Sequence, residues 1–169
     1  MREYIAKFRT EERSPNAAGL HFSFYSGLGG FIAIAAVALL TANTEVPFIM
    51  APFGATCVLA FGVPDSPLAQ PRNIIGGHAI STIIGLVCLH LFGNEWYSLA
   101  LGVGSAIAIM QLTKTTHPPA GADPLVVILG GSSWSFLFNP VLSGAITITV
   151  IALIFNNMSK VRKYPKYWI

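Results

Sequence analysis

The sequence predicts an all-α integral membrane protein: four long transmembrane helices plus two short half-helix segments, arranged as two inverted three-segment repeats. Three observations lead there. The 169-residue chain is 53% hydrophobic and only 10% charged, whereas average soluble domains carry roughly 25% charged residues. Four stretches, 22–42, 73–92, 97–113 and 139–155, meet or approach the apolar length of a spanning helix, which is about 20 residues. Among them lie two apolar segments broken by Pro and Gly, PFIMAPFGATCVLAFG at 47–62 and HPPAGADPLVVILGG at 117–131. Interrupted helices persist in lipid only inside protein or beside a polar cavity, because every backbone N–H and C=O must be satisfied. Paired interruptions in two halves of a chain point to a midplane binding site and so to a transporter or channel.

Residues 1–20 are polar, with Arg2, Lys7, Arg9, Glu11, Glu12 and Arg13, and form an expected cytoplasmic segment. No small-residue cleavage site follows the first apolar run, so the first helix is expected to remain as an anchor. Pro71 precedes the second long helix, and Pro140 has the matching place before the last. In the second broken segment, Asp123 reads as an N-cap and Pro124 as the first helical residue. Lys160, Arg162, Lys163 and Lys166 make 159–169 a basic tail. Beside a membrane helix this reads as a cytoplasmic flank rather than a nucleic-acid contact. Cys57 and Cys88 sit in apolar surroundings, with neither metal-ligand spacing nor a disulfide framework.

Basic termini at both ends predict an even number of crossings, either four with two re-entrant loops or six. Six would put Arg72 and Lys114 inside and Glu45 and Glu95 outside, which the positive-inside rule favours. A lead-in that stops at the midplane and returns is equally compatible with the segment lengths. Aligning Gly54-Ala55-Thr56 with Gly121-Ala122-Asp123 brings 21–92 and 96–158 into register as two repeats. Thr56 and Asp123 would then start equivalent short helices as N-caps. Gly77, Ser81 and Gly85, and likewise Ser98, Gly102 and Ala106, recur at four-residue intervals, the spacing that lets membrane helices approach closely.

The string Thr116-His-Pro-Pro-Ala-Gly-Ala-Asp-Pro-Leu125 resembles the motif that names the HPP family of integral membrane proteins. Ala51-Pro-Phe-Gly-Ala55, Ser66-Pro-Leu-Ala-Gln-Pro-Arg-Asn73 and Gly76-Gly-His78 accompany it, so the resemblance runs over roughly residues 15 to 160. It implies a small polytopic protein, usually described with four transmembrane helices. Family members in photosynthetic lineages are associated with nitrite transport, and some bacterial relatives continue into CBS domains, nucleotide-binding modules with no counterpart in this sequence.

Candidate site residues follow from the chemistry of helix ends. A helix N-terminus carries about +0.5 of an elementary charge and free N–H donors, so two of them would suit one monovalent anion. The donors would be the backbone N–H groups of Gly54–Cys57 and Gly121–Leu125, centred on Gly54, Ala55 and Thr56 and on Gly121, Ala122 and Asp123, with added hydroxyls from Thr56 and Thr116. Asp123 complicates this picture, because a capping carboxylate competes with an anion unless it is protonated or carries a proton with the substrate. An intramembrane carboxylate is a functional candidate by default. His117 reads as a substrate or gating residue or as a structural hydrogen bonder, and His78 as a satisfied core imidazole or a ligand. Arg72, Asn73 and Lys114 are candidates for electrostatic attraction or gating near the repeat boundaries, and Arg72 reads equally as a partner of Asp65 or as an interfacial anchor of its helix.

Four His and seven acidic residues include no metal-binding spacing, and no Ser occupies a recognised nucleophile elbow. No enzymatic activity, metal or cofactor is therefore expected. The expected partners are the lipid bilayer, a small inorganic anion, most readily nitrite, with or without a proton, and further copies of the chain in a homo-oligomer. The expected location is a bacterial inner membrane or its equivalent, with both termini cytoplasmic. Two alternatives stand beside this reading: a proton- or cation-coupled transporter using Asp123 and His117, and a non-transporting scaffold or sensor subunit.

Overall fold

The computed structural model describes residues 1–44 and 48–168. Glu45, expected at the outer face, and Pro47, expected to open the first broken segment, lie outside the described residues, as do Val46 and Ile169. The described residues form α-helices α1 (Arg2–Ala6), α2 (Leu20–Thr44), α3 (Pro52–Cys57), α4 (Pro71–Phe92), α5 (Trp96–Leu112), α6 (Asp123–Leu129) and α7 (Ser143–Met158), with no strand among them. Among the described residues, three helical runs are long and apolar enough to cross a membrane: α2, α4, and Leu137–Met158, which ends in α7. The fourth expected long helix, α5, is apolar but has 17 residues. Its length is about 26 Å, a little under the bilayer core of about 30 Å.

Local sequence sets these boundaries. Pro71 takes the first position of α4 behind an extended Gln70, where its missing N–H costs nothing. The same helix stops at Gly93, whose φ of 71° lies in the left-handed region. The two broken segments are helical but irregular. The first runs as α3 and then widens into a π-turn, Val58–Gly62. The second begins as a 3₁₀ turn, Pro118–Ala122, before α6. Ahead of α7, non-helical Asn139 and then Pro140 break the run.

One end of the bundle gathers four parts of the chain. Arg162 of the tail donates to the Phe61 carbonyl and to Ser26 Oγ, both at 2.9 Å, joining the start of α2 to the end of the first broken segment. Arg72 donates to the Thr113 carbonyl and Asn73 to the Thr116 carbonyl, both at 2.9 Å. Lys166 pairs with Asp65 at 2.8 Å on the same end. From there α6 runs beside α4, with Asp123 level with His78 and Thr82 and Pro124 level with Gly85.

Two kinds of packing divide the interior. Between α2, α3 and α7 lies a large-residue core that includes Val37, Phe53, Phe61, Ile148 and Phe155. Between α4, α5 and the second broken segment the contacts depend on small residues. A Cβ added at Gly77 would sit 2.7 Å from His117 Cβ, and one at Gly85 would sit 2.8 Å from Pro124 Cα. At such distances a larger residue would force its neighbour to shift, as the four-residue spacing of small residues in α4 leads one to expect. Ser81, between the two glycines, donates to the Ala120 carbonyl at 2.5 Å. The backbone of the second segment therefore lies directly on α4.

Candidate functional site: a buried His–Thr–His–Asp chain

Those close approaches bring four side chains, from α3, α4 and two places in the second broken segment, into one hydrogen-bonded line. Thr56 of α3, His78 of α4, His117 ahead of the 3₁₀ turn, and Asp123 at the start of α6 are all fully buried. His117 Nδ1 lies 2.8 Å from the Leu68 carbonyl. A carbonyl only accepts, so this nitrogen carries a proton. His117 Nε2 and His78 Nε2 flank Thr56 Oγ1 at 3.0 and 2.9 Å. His78 Nδ1 then meets Asp123 Oδ2 at 2.7 Å, where Thr82 Oγ1 also donates from 3.3 Å.

The chemistry follows from counting protons. Thr56 has one hydroxyl hydrogen, so when it donates to one imidazole it accepts from the other. The three bonds from His117 to Asp123 share three protons and allow three arrangements. In one, every group is neutral and Asp123 Oδ2–H donates to His78. In another, that proton sits on His78, which becomes an imidazolium facing a carboxylate. In the third, the Thr56 hydroxyl reverses and the positive charge moves to His117 while Asp123 stays negative. All three have zero net charge, which makes burial tolerable, since an isolated buried ion is costly. Movement between them requires only proton shifts along existing bonds and one hydroxyl reversal. A fourth arrangement accommodates an extra proton. Thr56 Oγ1 is 3.3 Å from the Pro52 carbonyl; if it donates there, both imidazoles donate to it and His117 is cationic.

One carboxylate oxygen stands apart. Asp123 Oδ1 is buried and has no hydrogen-bond partner among the described residues. A buried acceptor left in this way costs about 1–3 kcal/mol, which is a physical reason for the site to meet a donor or cation.

The N-cap expectations fail for both short helices. Thr56 lies inside α3, which already begins at Pro52 behind Ala51. Asp123 has helical φ and ψ and follows Ala122 as the N-cap, with no side-chain cap bond. In both cases the side chain meets the imidazole of His78 instead. Arg72 does not pair with Asp65, which Lys166 holds.

The other expected site residues fall into layers. Asn73 and Thr116 lie one step from the chain of four, bonded to each other through the Thr116 carbonyl. Arg72 is at the bundle end, and Lys114 is exposed with a φ of 58°. Gly54 is exposed and its N–H is taken by the Ala51 carbonyl at 3.1 Å. Gly121 is half-buried. Ala55 and Ala122 face away from the network and line an open apolar groove of about 770 Å³ with Pro52, Val58, Pro119 and Leu125. Sequence reasoning missed Thr82 and the Leu68 carbonyl, and read Ser81 as a close-packing residue without its bond to the Ala120 carbonyl. Thr82 was the most accessible of these, since it lies one helical turn after His78 and so shares its face.

The comparisons with known proteins point to a transmembrane family. The profile of the HPP transmembrane region matches residues 15–165. A transmembrane protein of Dictyostelium discoideum is 38% identical over 178 aligned residues, covering 98% of this chain and 57% of the relative. A second Dictyostelium discoideum transmembrane protein is 35% identical over 170 residues, covering 94% of this chain and 60% of the relative. The chain thus spans somewhat more than half the length of these relatives. No solved structure matches it. With its several apolar spans and a match over nearly its whole length, the chain is an integral membrane protein of the HPP family.

Proposed function

We propose that the chain transports a small inorganic anion together with a proton, along a path adjoining the His117–Thr56–His78–Asp123 network. Membrane transport in general suits a family whose relatives are transmembrane proteins. Nitrite is the first substrate to test, because the family resemblance points to it. The observation that carries the reading is the continuous line of hydrogen bonds from the Leu68 carbonyl to Asp123, which can hold or release a proton without breaking. A cationic His117 would attract an anion, and discharge of its proton would release it.

The proposed topology has six passages, as two inverted repeats of two long helices and one broken helix. The gathering of the α2 start, the 63–70 loop, residues 113–117 and the tail at one end supports it. Both termini are then cytoplasmic, in a bacterial inner membrane or its equivalent. A homo-oligomer belongs to the proposal, because six passages, two of them broken, give little protein to surround a polar path. No enzymatic step is included.

One observation favours a second reading, a proton- or cation-coupled carrier. The buried, unpartnered Asp123 Oδ1 is a site for a cation or a hydrogen-bond donor rather than for an anion. Uptake by proteoliposomes containing the purified chain separates the two. The first reading predicts saturable nitrite uptake, accelerated by an inward proton gradient, competed by nitrate or formate, and lost in a folded His117→Ala variant. Absence of flux for nitrite, nitrate, formate and chloride, with a pH gradient in either direction, would overturn it.

A further inference from the structure

The C-terminal tail looks from its charge like a membrane flank, yet its tyrosines make the more telling contacts. Three consecutive carbonyls of the 63–70 loop have separate partners. Pro67 accepts from the Tyr167 hydroxyl at 2.7 Å and Ala69 from the Tyr164 hydroxyl at 2.7 Å. The one between them, Leu68, accepts from His117 Nδ1 at 2.8 Å. The carbonyl that fixes the proton on His117 is therefore flanked on both sides by carbonyls that the tail holds.

Further bonds anchor the tail and the loop to each other. The Lys166 N–H donates to Gln70 Oε1 at 2.7 Å, while Gln70 Nε2 donates back into the loop at the Ser66 and Pro64 carbonyls, at 2.7 and 3.0 Å. Lys166 Nζ reaches Asp65 at 2.8 Å. Asn157 of α7 binds both the N–H and the carbonyl of Tyr164. Tyr164 is buried with 2% exposure, and burial pushes its phenol up from the ordinary value, so it remains a protonated donor.

We propose that the tail is a strap that sets the protonation register of the buried site. Through Tyr164 and Tyr167 it holds the 67–69 backbone so that Leu68 can accept only from His117 Nδ1–H. Release of the strap frees that carbonyl, and the His117 proton is then no longer confined to Nδ1. Tyr164 and Tyr167 are positioning residues, acting on His117 through the loop. The inference rests on the network being the working site, but it concerns the network's proton positions and not the transported ion.

The test reads the tautomer directly, by solid-state nitrogen NMR of the full chain labelled at histidine in lipid vesicles, with His117→Gln identifying the His117 signals. The native chain should show His117 protonated on Nδ1 and bare on Nε2. In the Tyr164→Phe/Tyr167→Phe variant, trypsin should cut the tail at Lys160 or Lys163 faster, and a second His117 signature with the proton on Nε2 should appear. Should the double variant not fold, the more exposed Tyr167→Phe alone should give a smaller shift in the same direction. A released tail with unchanged His117 signals overturns the proposal, as does a tail that stays protected without its phenols. Since the readout needs no flux, loss of the transport reading would leave it standing, and its own failure would leave the transport reading untouched.

Discussion

The first broken segment delivers Thr56 from within a helix that is already under way, whereas the second delivers Asp123 as the opening residue of its helix. Their backbones differ further, because one leaves its α-helix through a π-turn and the other enters through a 3₁₀ turn. Yet both side chains reach the same imidazole, Thr56 at Nε2 and Asp123 at Nδ1 of His78. The matching Gly-Ala-Thr and Gly-Ala-Asp strings thus correspond in what they touch, not in how their helices begin. A second contrast runs across each segment. Thr56 and Asp123 are buried and polar, while their neighbours Ala55 and Ala122 line the apolar groove. One residue's step around a short helix separates proton chemistry from a lipid-like surface.

Removing one end of the chain of four should have the largest effect. Asp123→Ala strips His78 Nδ1 and the Thr82 hydroxyl of their acceptor, and unmet buried groups of this kind cost about 3 kcal/mol together. Asp123→Asn should keep most of that stability and still abolish proton-coupled flux, since an amide does not ionise and cannot take up and release a proton as a carboxyl group does. Thermal unfolding in detergent and uptake in vesicles separate these outcomes. Equal stability of the Ala variant and the native chain would remove the network from the account of the fold.

Gly77→Ala should come next. Its new methyl meets His117 Cβ and the Thr115 carbonyl, and overpacking of this kind costs about 1–3 kcal/mol. The displaced His117 should lose its Leu68 bond, so activity should fall more than melting temperature. By contrast, Asp65→Asn removes an ion pair whose members are 75% and 41% exposed. Its expected cost is under about 1 kcal/mol, measurable only at low salt. A larger loss would mean that the Lys166 side chain does more for the strap than the tyrosines do.

Much of the fold was legible because hydropathy and Pro/Gly punctuation act locally. Pro71 marks the start of α4, and the spacing of Gly77, Ser81 and Gly85 marks the face on which the second segment lies. The residue set Thr56, His78, His117 and Asp123 was legible as well, since polar groups in apolar segments are few. Their connections were not, because the bonds join residues 22 to 61 positions apart and depend on three-dimensional approach. The capping rules misassigned Thr56 and Asp123 for the same reason: a buried imidazole competes with a helix end, and only tertiary structure places it there. The tail was read from its lysines, whereas its tyrosines make the bonds to the loop.

The most direct measurement records internal pH while nitrite enters proteoliposomes containing the native chain, Thr56→Ser or Thr56→Val. The valine is close to isosteric but has no hydroxyl, so it leaves the two imidazole Nε2 atoms without a bridge. The account predicts coupled nitrite and proton entry for the native chain and the serine variant, and loss of both in a folded valine variant. Undiminished coupled entry through Thr56→Val would contradict it, because the proton would then be travelling by a route that does not pass through this hydroxyl.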